Sequence, residues 1–538
     1  MGDGHLKLLW HMNRCCLSYK MKTVLSSSHC VILVAGLLIV LSQAQASVTI
    51  TASGVDFTSV KSAVAKAGDG DTVVIPAGTA TWTKTLTISK SISIIGAGID
   101  QTIFIDQTPK GKSQNPLFQI EPKSKTILSR ISGFTINGST GGSTGSTIDK
   151  GSLATISIAA VSTTPNVRVD HIKFYQLYQR PLVFFGGAWG VIDHCEFTMG
   201  EWTGGLNIRH DAWKGLGKYG DNSWTDDPQW GTEQAIFIED CAFNNFSSAT
   251  FIDGDAGMRV VVRRNTIYGS EAGNHGTETG QRFRSGRTFE FYQNKCDGGP
   301  STFKHNWMIY LRGGSALVWG NYSDRYDSLV VMSEYRLWFP ATPWGQANGT
   351  NPWDANSPTI YATGSHTGGN GSSTLVDSAA NWQANQWRGY SIRNITRSTA
   401  SPVNSNTSNS IKPDGNPQGQ AMSFNTGDQY DIRKVETVLD QPGRGKGDLI
   451  SGANPTPVEW PHQQQEPIRI WGNSLGPSFG NRNGRPTVYS QGYSVIENRD
   501  WFYSSDNSAA LPGYVPYVYP HPLVSGESSS AGSLHNRR

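Results

Sequence analysis

Seven short segments of this chain share one design, and that repetition constrains the fold more than any other feature. They are GVIDHCEF (190–197), AIFIEDCAF (235–243), VVVRRNTI (260–267), FEFYQNKC (289–296), ALVWGNYS (316–323), IRIWGNSL (468–475) and SVIENRDW (494–501). In each, an apolar stretch leads to a polar residue or Asn near its end. Aligned on Cys195, Cys241, Asn265, Asn294 and Asn321, they recur at steps of 46, 24, 29 and 27 residues, the first of which reads as two turns with an inserted loop. A second register agrees: Gly187, Gly257, Gly286 and Gly313 each stand eight residues before Cys195, Asn265, Asn294 and Asn321, as expected of a repeated turn at positive φ. Coils of about 22–29 residues, built from short strands and tight turns, describe a parallel β-helix. Stacking at about 4.8 Å per coil would bury the apolar face and bring the Asn side chains into ladders. A leucine-rich repeat is disfavoured because its Leu-x-x-Leu-x-Leu spacing is missing.

The rest of the chain is consistent with this. Among 538 residues, 60 are Gly and only 16% are charged, too few for a helical bundle or coiled coil. The twelve uncharged residues Cys30–Leu41 are too short to span a membrane but suit a signal-peptide core, with Lys22 upstream and Ala44-Gln45-Ala46 as a cleavage site. Residues 1–46 are therefore expected to be a signal peptide, Met21 being an alternative start, and the mature protein to be extracellular or periplasmic with no membrane association. That remainder carries 41 basic and 41 acidic residues, a balance that argues against nonspecific nucleic-acid binding. Three cysteines remain, Cys195, Cys241 and Cys296; their spacing suits neither a disulfide framework nor zinc, and buried thiols stacked in the coils are expected. A short amphipathic helix is expected from Asp56 to Ala67, with Asp56 as N-cap, closing the open end of the stack.

This cap followed by GDGDTVVIPAG (68–78) and SISIIGAG (91–98), together with the Asp-His-Cys coil at 193–195, resembles the pectate-lyase-like right-handed parallel β-helix superfamily. The likeness covers residues 48–330 and 465–520. The segments 273–287, 439–448 and 514–523 are similar to those of secreted bacterial β-helix proteins of unassigned activity. The resemblance implies an all-β, pectin-lyase-like solenoid. It leaves activity open, because that superfamily contains polysaccharide lyases, glycoside hydrolases, esterases, phage tailspikes and noncatalytic adhesins.

Domain limits follow from where the repeat breaks. Asn321 to Asn473 spans 152 residues, far more than one coil. The expected organisation is a β-helix over 47–335, an aromatic loop and β-rich insertion over 336–464, the last coils over 465–523, and a disordered Ser-rich tail over 524–538.

Applying the glycine register to the preceding strand places Asp253 and Asp255 on an outer face, about 6.6–6.8 Å apart, with Arg282 and Arg284 beside them on the next coil. One reading is a charge ladder that ties coils together. The functional reading is a groove for an acidic, uronate-containing polysaccharide cleaved by β-elimination. Asp253 and Asp255 would then hold Ca²⁺, which prefers oxygen ligands. Arg282 or Arg284 would pair with the substrate carboxylate or, as the superfamily resemblance implies, act as base. His275 and Glu278 lie in the Gly-rich loop just before and are candidate catalytic residues, His275 for its pKa; as an ordinary loop residue it would simply be solvated. Arg312, with Lys304, His305, Glu334 and Arg336 near the same end, would extend the groove. Trp202, Trp213 and Trp224 crowd the loop before the Asp253 coil and would stack on sugar rings, or anchor that loop by burial. A glycoside hydrolase is the rival chemistry, weakened because the adjacent arginines would depress both carboxyl pKa values. A noncatalytic, carbohydrate-binding adhesive protein is the alternative of a different class.

Overall fold

The structure, a computed structural model, describes residues 47–109, 115–138, 154–160, 166–177, 180–198, 205–211, 222–244, 250–276, 284–300, 306–333, 360–388, 390–413, 421–434, 440–447, 464–481, 483–491 and 495–525. The expected signal peptide (1–46), the expected aromatic loop of the insertion and the end of the expected tail lie outside these. The described residues outside the insertion build a right-handed parallel β-helix. Its strands form three rows, every pair within a row being parallel. Row one includes Trp189–Asp193, Ile236–Glu239, Arg259–Arg263, Thr288–Tyr292, Ser315–Trp319, Ile468–Trp471 and Trp501–Ser504. Row two includes Glu196–Thr198, Ala242–Asn244, Thr266–Tyr268, Lys295–Asp297, Tyr322–Asp324 and Ser474–Leu475. Row three runs from Leu86–Ile88 to Val488–Ser490 and holds Arg180–Gly186, Asn207–Ile208, Thr250–Gly254, Glu271–Asn274 and Trp307–Leu311.

One register fixes both the interior and the corners. Alternate residues turn inward, so Ile192, Ile238, Val262, Phe291 and Val318 share one core with row-three Leu182, Ile252 and Ile309. Phe174, Phe197 and Phe243 stack coil upon coil at 4.9 and 4.6 Å. Between rows one and two, eight successive coils place one residue in the left-handed conformation: Gly133, His171, His194, Asp240, Arg264, Gln293, Gly320 and Gly472 all have φ between 50° and 79°. The residue after this corner carries the ladder. Asn265 Oδ1 accepts from Cys241 N, Asn294 Oδ1 from Asn265 N, Asn321 Oδ1 from Asn294 N and Asn473 Oδ1 from Asn321 N, at 2.9–3.0 Å. Cys195 and Cys241 occupy the same slot as buried free thiols, Cys241 Sγ accepting from Cys195 N at 3.4 Å.

Two details of the register differ from the sequence reading. The 46-residue step from Cys195 to Cys241 is one coil, not two, since Glu196 pairs directly with Ala242; most of the extra length falls between the row-three strand Asn207–Ile208 and the row-one strand Ile236–Glu239, and includes the short helix Asn222–Thr225. Of the four glycines expected at positive φ, Gly257 is so (78°), the neighbours Gly186 (86°) and Gly314 (72°) take that role in place of Gly187 and Gly313, and neither Gly286 nor its neighbours take it. At Gly186 a Cβ would fall 1.8 Å from Ala160 O, so only glycine fits.

The helix forms over Phe57–Lys66, with Asp56 accepting from Ser59 N, and buries Val60, Ala63 and Val64 in the core of the first coil. The insertion contains a six-stranded sheet over Ile360–Lys434 whose pairings are antiparallel. It has its own core of Leu375, Trp387, Ile392, Val403, Ile411, Phe424 and Ile432. Residues 514–523, at the end of the span read as last coils, are not a coil, and 524–525, read as the start of the tail, continue them in the short helix Pro522–Ser525. They form a strap along the outside of row one, with Leu523 packed against Val191, Phe237 and Val261. The strap accepts hydrogen bonds from Arg263 through Tyr517 O and Val518 O, and from Arg168 through Leu523 O.

Candidate functional site

The outer face of row three carries a cluster of charge. Strand Thr250–Gly254 turns Ile252 into the core, which leaves Asp253 outward. Pairing sets its neighbours in line: Val183 and Asn207 before it, Gly273, Tyr310, Val331 and Tyr489 after it. Asn207 Nδ2 donates to Asp253 O at 2.6 Å. Gly273 has no side chain, and Arg312 crosses its coil to reach Asp253, Nη2 to Oδ1 2.7 Å. Arg312 is held in that pose by Asn274, which accepts from its Nε and its backbone N–H.

His275 follows directly on Asn274, its N–H donating to Gly254 O at 2.9 Å. Its Nε2 lies 2.6 Å from Asp253 Oδ2, and Arg180 Nη2 approaches the same oxygen at 3.6 Å. The next outward carboxylate, Asp255, takes a two-pronged bond from Arg209, at 2.6 and 3.0 Å. Both aspartates are buried, at 8% and 2% exposure. Burial alone would raise the Asp253 pKa. Its contacts with His275, Arg312 and Arg180 outweigh this and hold the carboxyl well below the usual carboxylate range. Asp253 is therefore a permanent anion near neutral pH, unsuited to act as a general acid but suited to orient an imidazole and stabilise its positive charge.

The sequence-derived residues divide three ways. Asp253, His275 and Arg312 come together here, with Asp255 beside them. Arg284 and Trp224 are interior instead: Arg284 is fully buried, its guanidinium 4.5 Å from the Trp224 ring centre, paired with Asp440 at 3.1 Å and bonded to Gly447 O. It anchors the leg of chain returning from the insertion. Arg282, Glu278, Trp202, Trp213, Lys304, His305, Glu334 and Arg336 lie outside the described residues. The fixed-offset register that put Arg282 and Arg284 beside the aspartates slips because Asp253 pairs with Gly273, and Arg284 follows the row-three strand Glu271–Asn274 and precedes the row-one strand Thr288–Tyr292, belonging to neither. It slips by one again at Ile309, which faces the core while Tyr310 lines up with Asp253.

The fit of Ca²⁺ to Asp253 and Asp255 can be judged from their surroundings. Four cationic or imidazole side chains already meet these two carboxylates, so a hard divalent ion there would have to displace Arg312 or Arg209 against their charge. The pair does not fit such an ion.

Arg180, Arg209 and Asn207 are site residues that the sequence reading missed. A signal existed, because the step of 46 between Cys195 and Cys241 also separates Asn207 from Asp253 and Arg209 from Asp255.

No protein-family model and no curated protein matches the chain. Among solved structures it is similar to an alginate lyase from Paenibacillus sp. str. FPU-7, at 14% identity and a TM-score of 0.32, over 53% of this chain and 81% of that one. A PL6-family polysaccharide lyase from Pseudopedobacter saltans gives 14% identity and 0.33, over 53% of this chain and 66% of that one. The catalytic domain of a GH87 α-1,3-glucanase gives 10% and 0.24, over 53% and 60%.

Proposed function

We propose that this chain is an exported, polysaccharide-active β-helix protein that cleaves an acidic, uronate-containing polysaccharide by β-elimination at the Asp253–His275–Arg312 cluster. The observation that carries the reading is the 2.6 Å contact of His275 Nε2 with Asp253 Oδ2 among Arg312, Arg180 and Arg209. With Nε2–H donated to the carboxylate, Nδ1 holds the lone pair and serves as base. It takes the C5 proton of the uronate; the C5–H electrons form the C4=C5 double bond, the C4–O bond breaks, the leaving oxygen takes a proton from solvent water, and the imidazolium returns its own proton to the hydroxide so formed. Arg312 and Arg180 supply positive charge for the substrate carboxylate, whose neutralisation makes that proton acidic. No step passes through a metal ion.

The test is absorbance at the unsaturated-uronide band with a panel of uronate polysaccharides. We expect a rise in the parent that falls about 10²–10⁴-fold in His275→Gln, with melting temperature retained. A second reading, a noncatalytic glycan-binding or adhesive protein, is favoured by one observation: Asp255 is fully paired with Arg209, as in a structural ladder. Glycan binding with neither unsaturated products nor new reducing ends would replace the lyase reading by this one. Export is tested separately, by N-terminal sequencing of the secreted protein for a start near Ser47.

A further inference from the structure

The corner between rows one and two needs only a residue that tolerates the left-handed conformation, and most coils fill it with Gly, Asp, Arg or Gln. Two consecutive coils use histidine. His171 and His194, both at φ 50°, each follow a fully buried aspartate and turn Nδ1 onto it, at 2.8 Å from Asp170 Oδ2 and 2.9 Å from Asp193 Oδ2. Those carboxylates have other work: Arg130 grips Asp170 and Arg168 grips Asp193, each through two nitrogens. The ladder of buried acids with arginines continues at Glu239 and Arg263, where the corner residue is Asp240. The imidazoles are therefore no requirement of either the corner or the charge ladder.

The two rings lie parallel, centres 5.0 Å apart and planes within 1°. Because an ionised carboxylate only accepts, each Nδ1 carries the proton and each Nε2 presents a lone pair outward. The side chains are 51% and 45% exposed, and neither Nε2 is hydrogen-bonded among the described residues. A histidine that donates one ring nitrogen to a carboxylate and offers the other is the arrangement that metal-binding imidazoles use.

We propose that His171 and His194 form a surface site for a borderline first-row transition-metal ion, Cu²⁺, Ni²⁺ or Zn²⁺, bound through their Nε2 atoms and completed by water. Imidazole suits these ions, and Cu²⁺ most strongly. Metal–nitrogen bonds of about 2.0–2.1 Å mean that a shared ion draws the two side chains toward each other, and their exposed outer edges leave that movement open. The donor atoms of Asp170, His171 and Asp193 lie within 4.8 Å of one another, but the arginines on both carboxylates make the aspartates orienting groups rather than ligands.

Titration of the purified protein with Cu²⁺, followed by calorimetry and electron paramagnetic resonance, tests this. Asparagine tolerates the left-handed corner, so His171→Asn and His194→Asn remove only the imidazole. The expected result is one Cu²⁺ coordinated by two imidazole nitrogens. Each single variant should lose affinity at least about tenfold and the double variant should lose the two-nitrogen signal, with melting temperature in metal-free buffer unchanged. A double variant that binds Cu²⁺ as tightly as the parent, or a parent without imidazole-bound Cu²⁺, overturns the proposal.

Discussion

Arg263 meets Glu239 at 2.7 Å, both side chains fully shielded from solvent, and gives its remaining donors to Tyr292 and to the strap carbonyls of Tyr517 and Val518. The strap answers in kind, His521 N donating to Glu239 Oε1 at 2.8 Å. A charge buried this deeply is tolerable only with its partners in place. Arg263→Ala should therefore cost about 3–5 kcal/mol, read as a lowered denaturant midpoint at unchanged slope. Truncation after Gly513 should be worse. It uncovers Phe237, Val191 and Val261 and strips partners from Arg168, Arg263, Glu239 and Glu290 together, which dye binding to exposed apolar surface would report.

The outer cluster of row three makes a different prediction. Asp253→Ala leaves Arg312, Arg180 and His275 facing one another without their anion. Stability should fall by about 3–5 kcal/mol, while Asp253→Asn, which keeps one acceptor oxygen, should lose less. Equal losses in chemical denaturation would show that the charge of Asp253 is irrelevant to the cluster.

The ladder predicts a gradient. Asn294 accepts from Asn265 and donates to Val262 O and Asn321 Oδ1 in full burial. Its replacement by Ala should cost about 1–3 kcal/mol for each buried group left unsatisfied. Asn473, near the end of the stack and partly exposed, should cost less when changed to Ala, because water replaces its bonds. Thermal melts of the two variants compare them directly.

Acid should unfold this protein earlier than its carboxylates alone would dictate. Burial, then the charge of Arg259, lowers His210 to about 3. Burial, then Arg263 and Arg168, lowers His521 to about 3 as well. Both start from about 6.5 in the unfolded chain. Below pH 6.5 the unfolded state binds protons that the native state refuses, so stability falls as pH drops from 6.5 toward 3 and is flat with respect to these groups above it. The expected slope approaches about 1.4 kcal/mol per pH unit for each histidine. Denaturant unfolding at pH 7.5, 6, 5 and 4 measures it, and His210→Asn should reduce the slope by its share if it folds.

Much of the fold was legible because it is periodic. Apolar alternation, the Asn265–Asn294–Asn321 spacing and the Asp56-capped helix are local patterns, and each formed where the residues call for it. The candidate site was legible only in part. Asp253, His275 and Arg312 are recognisable as reactive types, but their meeting depends on Arg312 reaching back across the Gly273 coil. Arg284 reads as an exposed cation and is a fully buried one, because Asp440, 156 residues later, comes to meet it.

The sequence by itself determined that this chain would coil, since each repeat exposes an apolar face that only its neighbour can cover. It also determined which residues would line the ladder, because their period is the period of the coil. Tertiary structure alone decided which charges face water. Loop lengths differ from coil to coil, so position along the chain does not convert into position on a face, and a one-residue slip in a strand turns a core side chain outward. It decided as well that residues 514–525 would lie across row one, for the carbonyls that receive Arg168 and Arg263 are more than 250 residues away from them in the chain.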